Sequence, residues 1–131
     1  MILSSILFFL AGCINGLMDV LKDRFSASKI KNWNPQFWDA SISWKNKYIN
    51  ADPLQGRTYW TIFGLKIQKP VVVTNGWHLF KMLFIYIIIL ASVVYTPHIF
   101  INGFLSTIIT ILIFWASFGL GFILMYNFIL L

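Results

Sequence analysis

Residues 82–131 read MLFIYIIILASVVYTPHIFINGFLSTIITILIFWASFGLGFILMYNFILL, and no Asp, Glu, Lys or Arg occurs among them. A stretch this long without charge cannot coat itself with water-facing side chains. Its length suits two apolar helices, each long enough for a bilayer core. Residues 77–95 are read as one helix and residues 104–131 as another. Pro97 ends the first of them, and residues 96–103 make a short reversal. At about 1.5 Å per residue the last helix would rise ~42 Å, more than the ~30 Å hydrocarbon core, so it tilts or extends into the headgroups.

Toward the N-terminus, residues 2–21 form another apolar block, broken only by Ser4, Ser5, Asn15 and Asp19. About 20 such residues span a bilayer. Leu10-Ala11-Gly12-Cys13 also matches the lipobox of bacterial lipoproteins, in which the preceding residues are cleaved and the Cys is lipidated. No Lys or Arg precedes it, whereas signal peptides carry a basic start, and this favours a transmembrane helix. Cys13 is the single cysteine, so no intrachain disulfide forms, and in apolar surroundings it acts as a small hydrophobe.

The composition excludes an ordinary soluble domain. Of 131 residues, 59% are hydrophobic and 11% charged, against about 25% charged in typical soluble domains. The charge is also confined. Residues 22–76 hold nine of the ten Lys and Arg and three of the four Asp. The expected fold is an all-α membrane protein with three transmembrane helices and a partly irregular interfacial insert between the first two. The expected segments are helix 1 at 1–21, a basic and aromatic insert at 22–76, and helices 2 and 3 within 77–131. Because the reversal at 96–103 has no Lys or Arg, the positive-inside rule places the insert and the C-terminus in the cytoplasm. The expected site is the bacterial inner membrane.

Within the insert, Ala51-Asp52-Pro53-Leu54-Gln55-Gly56 reads as a turn. Residues 62–68 alternate loosely and suggest a short strand or an extended arm, and residues 39–48 suggest a short helix. Thr74 or Asn75 can cap the second long helix.

Three groups of residues carry functional expectations. The rings of Trp33, Trp38, Trp44, Tyr48, Trp60 and Trp77 suit a membrane-water interface, with apolar body inward and polar tip outward. Arg24, Lys45, Lys47 and Arg57, with His78 and Lys81 at the mouth of the second helix, can meet anionic lipid headgroups. The leading expectation is therefore a non-enzymatic component whose partners are membrane lipids. Nucleic acid is not expected, since the helices hold the insert against the membrane.

The second group supports an alternative. Asn15, Asp19 and Asp23 follow i, i+4, i+8 spacing on one helix face, and His78 and Lys81 share a face at i, i+3. His78 as base and Asp19 as its orienter would suit an enzyme acting on a phosphate-bearing or acyl lipid, with Ser41 or Ser43 nearby. A metal site wants three or more ligands, and Lys81 opposes a cation beside Asp19, Asp23 and His78, so no metal or other cofactor is expected. The third group, Ser117-x-x-x-Gly121, is a small-residue spacing that lets helices approach, within the chain or in a homo-oligomer or larger assembly. An oligomeric channel or transporter is a further alternative.

Phe37-Trp38, Ser43-Trp44-Lys45-Asn46-Lys47-Tyr48 and Trp77-His78-Leu79-Phe80-Lys81 resemble segments of small, uncharacterised bacterial integral membrane proteins. The likeness covers roughly residues 19–81. That pattern has an Asp where Asn75 stands and a His near Arg24. The resemblance implies a bacterial membrane protein and no particular reaction.

Overall fold

In a computed structural model the chain is mostly helical, and the structure describes residues 1–95 and 103–131. The expected reversal around Pro97 falls almost wholly outside the described residues. Three helices, Ile2–Ala27, Gly76–Val93 and Gly103–Ile129, are long and apolar enough to cross a membrane. The regular parts are α1 (Ile2–Asp19), α4 (Gly76–Val93) and α5 (Gly103–Ile123). Between α1 and α4 lie the single turns α2 (Pro35–Trp38) and α3 (Ala40–Ser43) and the strands β1 (Tyr59–Ile62) and β2 (Leu65–Gln68).

The first helix runs on past residue 21: a π-turn, Val20–Arg24, and a 3-10 turn, Phe25–Ala27, carry it further. The insert also holds a two-stranded sheet. β2 falls where alternation suggested a strand, but it pairs antiparallel with β1, a partner the pattern did not reveal. Thr61 interrupts the apolar run of β1 only once, which leaves too short an alternation to recognise.

The chain divides into two compact units, Met1–Leu17 with Leu83–Leu131, and Met18–Met82. In the first, backbones meet at glycine. A Cβ on Gly12 would run into the Phe118 carbonyl oxygen, and one on Gly121 into the Phe9 carbonyl oxygen. Gly16 continues the seam, where a Cβ would stand 2.9 Å from the Phe122 oxygen. Gly12-x-x-x-Gly16 is thus the counterpart of Gly121 in an α1–α5 contact that only hydrogen side chains allow. Rings flank the seam: Phe8 stacks on Phe114 with centroids 4.6 Å apart, and Phe84 meets Phe118 edge-on at 6.2 Å. Elsewhere this unit presents large apolar side chains outward, with Phe104 82%, Val93 75% and Trp115 74% exposed. Such a surface is compatible with a multi-pass membrane protein.

The second unit is built from caps and turns. Its apolar core is Val20, Leu21, Phe25 and Ile30, all buried, with α3 against the Val20–Arg24 turn. Asn34 caps α2 by accepting from Gln36 N, and Asp39 caps α3 by accepting from Ser41 N at 2.9 Å and Ser41 Oγ at 2.6 Å. Asn75 caps α4, its Oδ1 accepting from His78 N at 3.1 Å. Each supplies an oxygen to amides that the first helical turn leaves free.

Candidate functional site

The segment Trp44-Lys45-Asn46-Lys47 forms a 3-10 turn directly after α3. Two hydrogen-bonded knots fix its position, the first of them buried. Ser43, with no exposed surface, accepts a hydrogen bond from Asn75 Nδ2 at 2.7 Å. Asn46 donates through Nδ2 to the Thr74 carbonyl at 3.0 Å and also to the Gln36 carbonyl. Asn46 and Asn75 therefore tie the lysine-bearing turn to the start of α4. With Ser43 and Asn46 committed inward, Trp44 and Lys45 remain on the exposed side.

The cations of this turn gather on aromatic faces. Lys45 Nζ lies 5.7 Å and Lys47 Nζ 5.9 Å from the Trp44 ring centroid, and Lys47 Nζ is also 5.2 Å from the Tyr48 ring. Trp44 and Tyr48 meet edge-on at 6.2 Å. A positive head over a π-face is held without an acid partner and stays available to an outside anion.

Arg57 reaches the same neighbourhood through the backbone. Tyr48 and Arg57 form an antiparallel bridge, and Thr58 N donates to the Lys47 carbonyl at 2.9 Å. On its other side, Lys69 N donates to the Thr58 carbonyl at 3.0 Å, extending the β1–β2 ladder. With its amide oxygen turned toward the guanidinium, Gln68 accepts from Arg57 Nε at 3.1 Å and Nη1 at 3.2 Å. The backbone of Arg57 and Thr58 is thus tied to the turn that carries Lys45 and Lys47, although twelve positions separate Lys45 from Arg57.

The remaining expected residues fall differently. Lys81 Nζ sits 5.1 Å over the Trp77 ring, and Trp77 meets His78 edge-on at 5.0 Å, a second cation-aromatic pair at the start of α4. Arg24 is exposed at the end of the π-turn. Trp38 is less a free anchor than a packing centre. It contacts Trp33 at 4.9 Å, Phe37 at 4.8 Å and Phe80 at 5.7 Å, and its ring lies against Gly76 so closely that a Cβ there would collide. Trp33 and Trp60 are 42% and 40% exposed.

Asp19 and His78 share no hydrogen bond, and the buried His78 Nδ1 has no partner. Ser41 Oγ donates to Asp39, and Ser43 Oγ accepts from Asn75. Among the described residues no three His, Cys, Asp or Glu side chains gather as a metal site. Gly121 is occupied by α1, and Ser117 Oγ donates to the Ile113 carbonyl of its own helix at 2.8 Å. An apolar groove of about 440 Å³, lined by Phe8, Ile88, Ile111, Phe114, Trp115 and Phe118, holds no acid–base group.

Sequence reasoning missed the roles of Asn46, Ser43 and Gly12. Only Gly12-x-x-x-Gly16 carried a readable pattern. Comparison with protein-family models, with curated proteins and with solved structures finds no match for this chain.

Proposed function

We propose that this chain is a multi-pass membrane protein whose 22–76 segment binds anionic lipid headgroups without catalysing a reaction. The observation that carries the reading is the pair Lys45 and Lys47 held over the Trp44 and Tyr48 rings, with Arg57 bridged to Tyr48 through the backbone. Lysine supplies point charge to a phosphate, while a guanidinium supplies paired donors. Trp44 and Tyr48 match the headgroup layer. The acids flanking these cations in sequence, Asp39 and Asp52, accept from Ser41 and from Leu54 N and Gln55. In this reading the insert and C-terminus face the cytoplasm of a bacterial cell, the side richer in Lys and Arg. An enzyme using His78 and Asp19, or an oligomeric channel, gains no comparable observation.

The test is native mass spectrometry of the full chain released from membranes in mild detergent. The wild type is expected to retain phosphatidylglycerol or cardiolipin. The triple variant Lys45→Gln, Lys47→Gln, Arg57→Gln is expected to lose roughly a hundredfold in retention, the scale of removing three interfacial charges worth about 1 kcal/mol each. Equal retention by the two proteins would end the proposal.

A further inference from the structure

We infer that the β1–β2 hairpin is a lipid-inserting element, entering the interfacial layer of a bilayer with its Phe63–Gly64 tip first. The inference rests on the membrane reading above, but it concerns an apolar contact rather than the Lys45, Lys47 and Arg57 surface. The register pairs Trp60 with Ile67 and Ile62 with Leu65, and pairs Tyr59 with Gln68 and Thr61 with Lys66. Residues opposite one another in a pleated pair share a face, and alternate residues along a strand share it too. One face is therefore Trp60, Ile62, Leu65 and Ile67, wholly apolar. The other is Tyr59, Thr61, Lys66 and Gln68.

The apolar face has nothing over it. Ile62 is 41%, Leu65 68% and Ile67 46% exposed, and Phe63 at the tip is fully exposed. A two-stranded hairpin is marginal by itself in water and needs a surface to pack on.

The turn sharpens the point. Phe63 has φ 49° and Gly64 φ 80°, the arrangement of a two-residue turn with both central residues left-handed. Asn-Gly or Gly-Gly suits such a turn, and a bulky aromatic at its first position is disfavoured. No folded-state contact accounts for Phe there, since its ring touches no other part of the chain. An apolar medium beyond the tip accounts for it.

Charge selects which surface covers the face. Lys66 Nζ lies 4.8 Å over the Tyr59 ring on the opposite face, and Lys69 follows at the base, with no acid in the hairpin. A second copy would bring like charges together. A bilayer accepts the apolar tip and places the lysines at headgroup phosphates. Bilayers of either charge satisfy the apolar contact, so it is tested without anionic lipid.

The experiment uses the full chain with Cys13→Ala, carrying the fluorophore NBD on Phe63→Cys, Leu65→Cys or Gln55→Cys. Gln55 lies in the turn before the strand that leads to the tip. The protein is reconstituted in phosphatidylcholine vesicles with bromine atoms in the upper acyl chain. Labels at 63 and 65 are expected to lose roughly half their emission to bromine, the label at 55 little, and aqueous iodide to reverse the order. Adding Phe63→Asn, which fits the turn better, is expected to weaken bromine quenching of the label at 65. Iodide quenching at 63 and 65 without bromine quenching would overturn the inference. So would self-quenching that grows with protein density, which marks a second copy on the face, or quenching at 65 untouched by Phe63→Asn. Because no anionic lipid is present, failure here leaves the headgroup reading standing. Undiminished lipid retention by the triple variant would leave insertion of the tip standing.

Discussion

The α1–α5 seam and the Ser43–Asn46–Asn75 knot hold their parts of the chain by opposite means. The seam uses absence: Gly12 and Gly121 have no side chain, so each helix backbone rests on a carbonyl of the other. The knot uses presence: two asparagine side chains reach across 28 and 32 positions of sequence to bind Thr74 and Ser43. In an apolar medium burial of hydrophobic surface gives helices no preference for one another, and close packing decides. Where water reaches, irregular backbone must be tied by directed hydrogen bonds. The chemistry of each contact thus suits the medium proposed for it.

Filling the seam should give the largest effect. Gly12→Leu puts four carbons where Phe118 already lies, with backbone as the obstacle and no flexible side chain to yield. We expect a loss of about 3 kcal/mol, the upper range for overpacking, read as a large drop in thermal unfolding temperature in detergent. Gly119→Leu is the control, since nothing lies within 4 Å of a Cβ there. If both variants melt alike, the seam is not what holds α1 to α5.

The knot should respond next. Asn75→Ala removes the α4 cap and leaves the buried Ser43 hydroxyl without its partner. The expected cost is about 2 kcal/mol, roughly one for the cap and one for the unpaired group. Trypsin reads this region selectively, because every Lys and Arg lies within residues 22–81. Cleavage should quicken in Asn75→Ala and much less in Asn75→Asp, whose carboxylate can still accept from His78 N and from the Ser43 hydroxyl. Equal cleavage of wild type and Asn75→Ala would show that the knot is not a restraint.

The same contrast explains what could be read from the sequence. Long apolar runs state their own helicity, so the three long helices and the confinement of charge were legible. A cap at Thr74 or Asn75 was legible too, because either residue before an apolar helix is a local pattern, but the choice of Asn75 was not. The knot was not legible: Asn46 looks like any polar residue in a basic segment, and its partners Gln36 and Thr74 are distant in sequence. The hairpin was half legible. Phe63 conceals a turn that Asn at the same position would have announced, and β1 is short. The first-helix glycines had a readable spacing, but an apolar run draws attention to length rather than to gaps.

Gly16→Ala sharpens the comparison most finely, because two small terms oppose each other. A Cβ there stands 2.9 Å from the Phe122 oxygen and 3.3 Å from the Met125 Cβ, so a neighbour must yield by a few tenths of an ångström. That strain acts against the helix preference for Ala over Gly, worth about 1 kcal/mol in water. The two should nearly cancel, leaving a shift within about 0.5 kcal/mol. At Gly12 the same substitution meets a closer oxygen and should be clearly destabilising. Equal effects at the two positions would mean that α1 and α5 separate or slide freely along the seam. A graded response would mean that they cross at Gly12 and diverge toward Gly16, with the backbone contact tightest where both helices contribute a glycine.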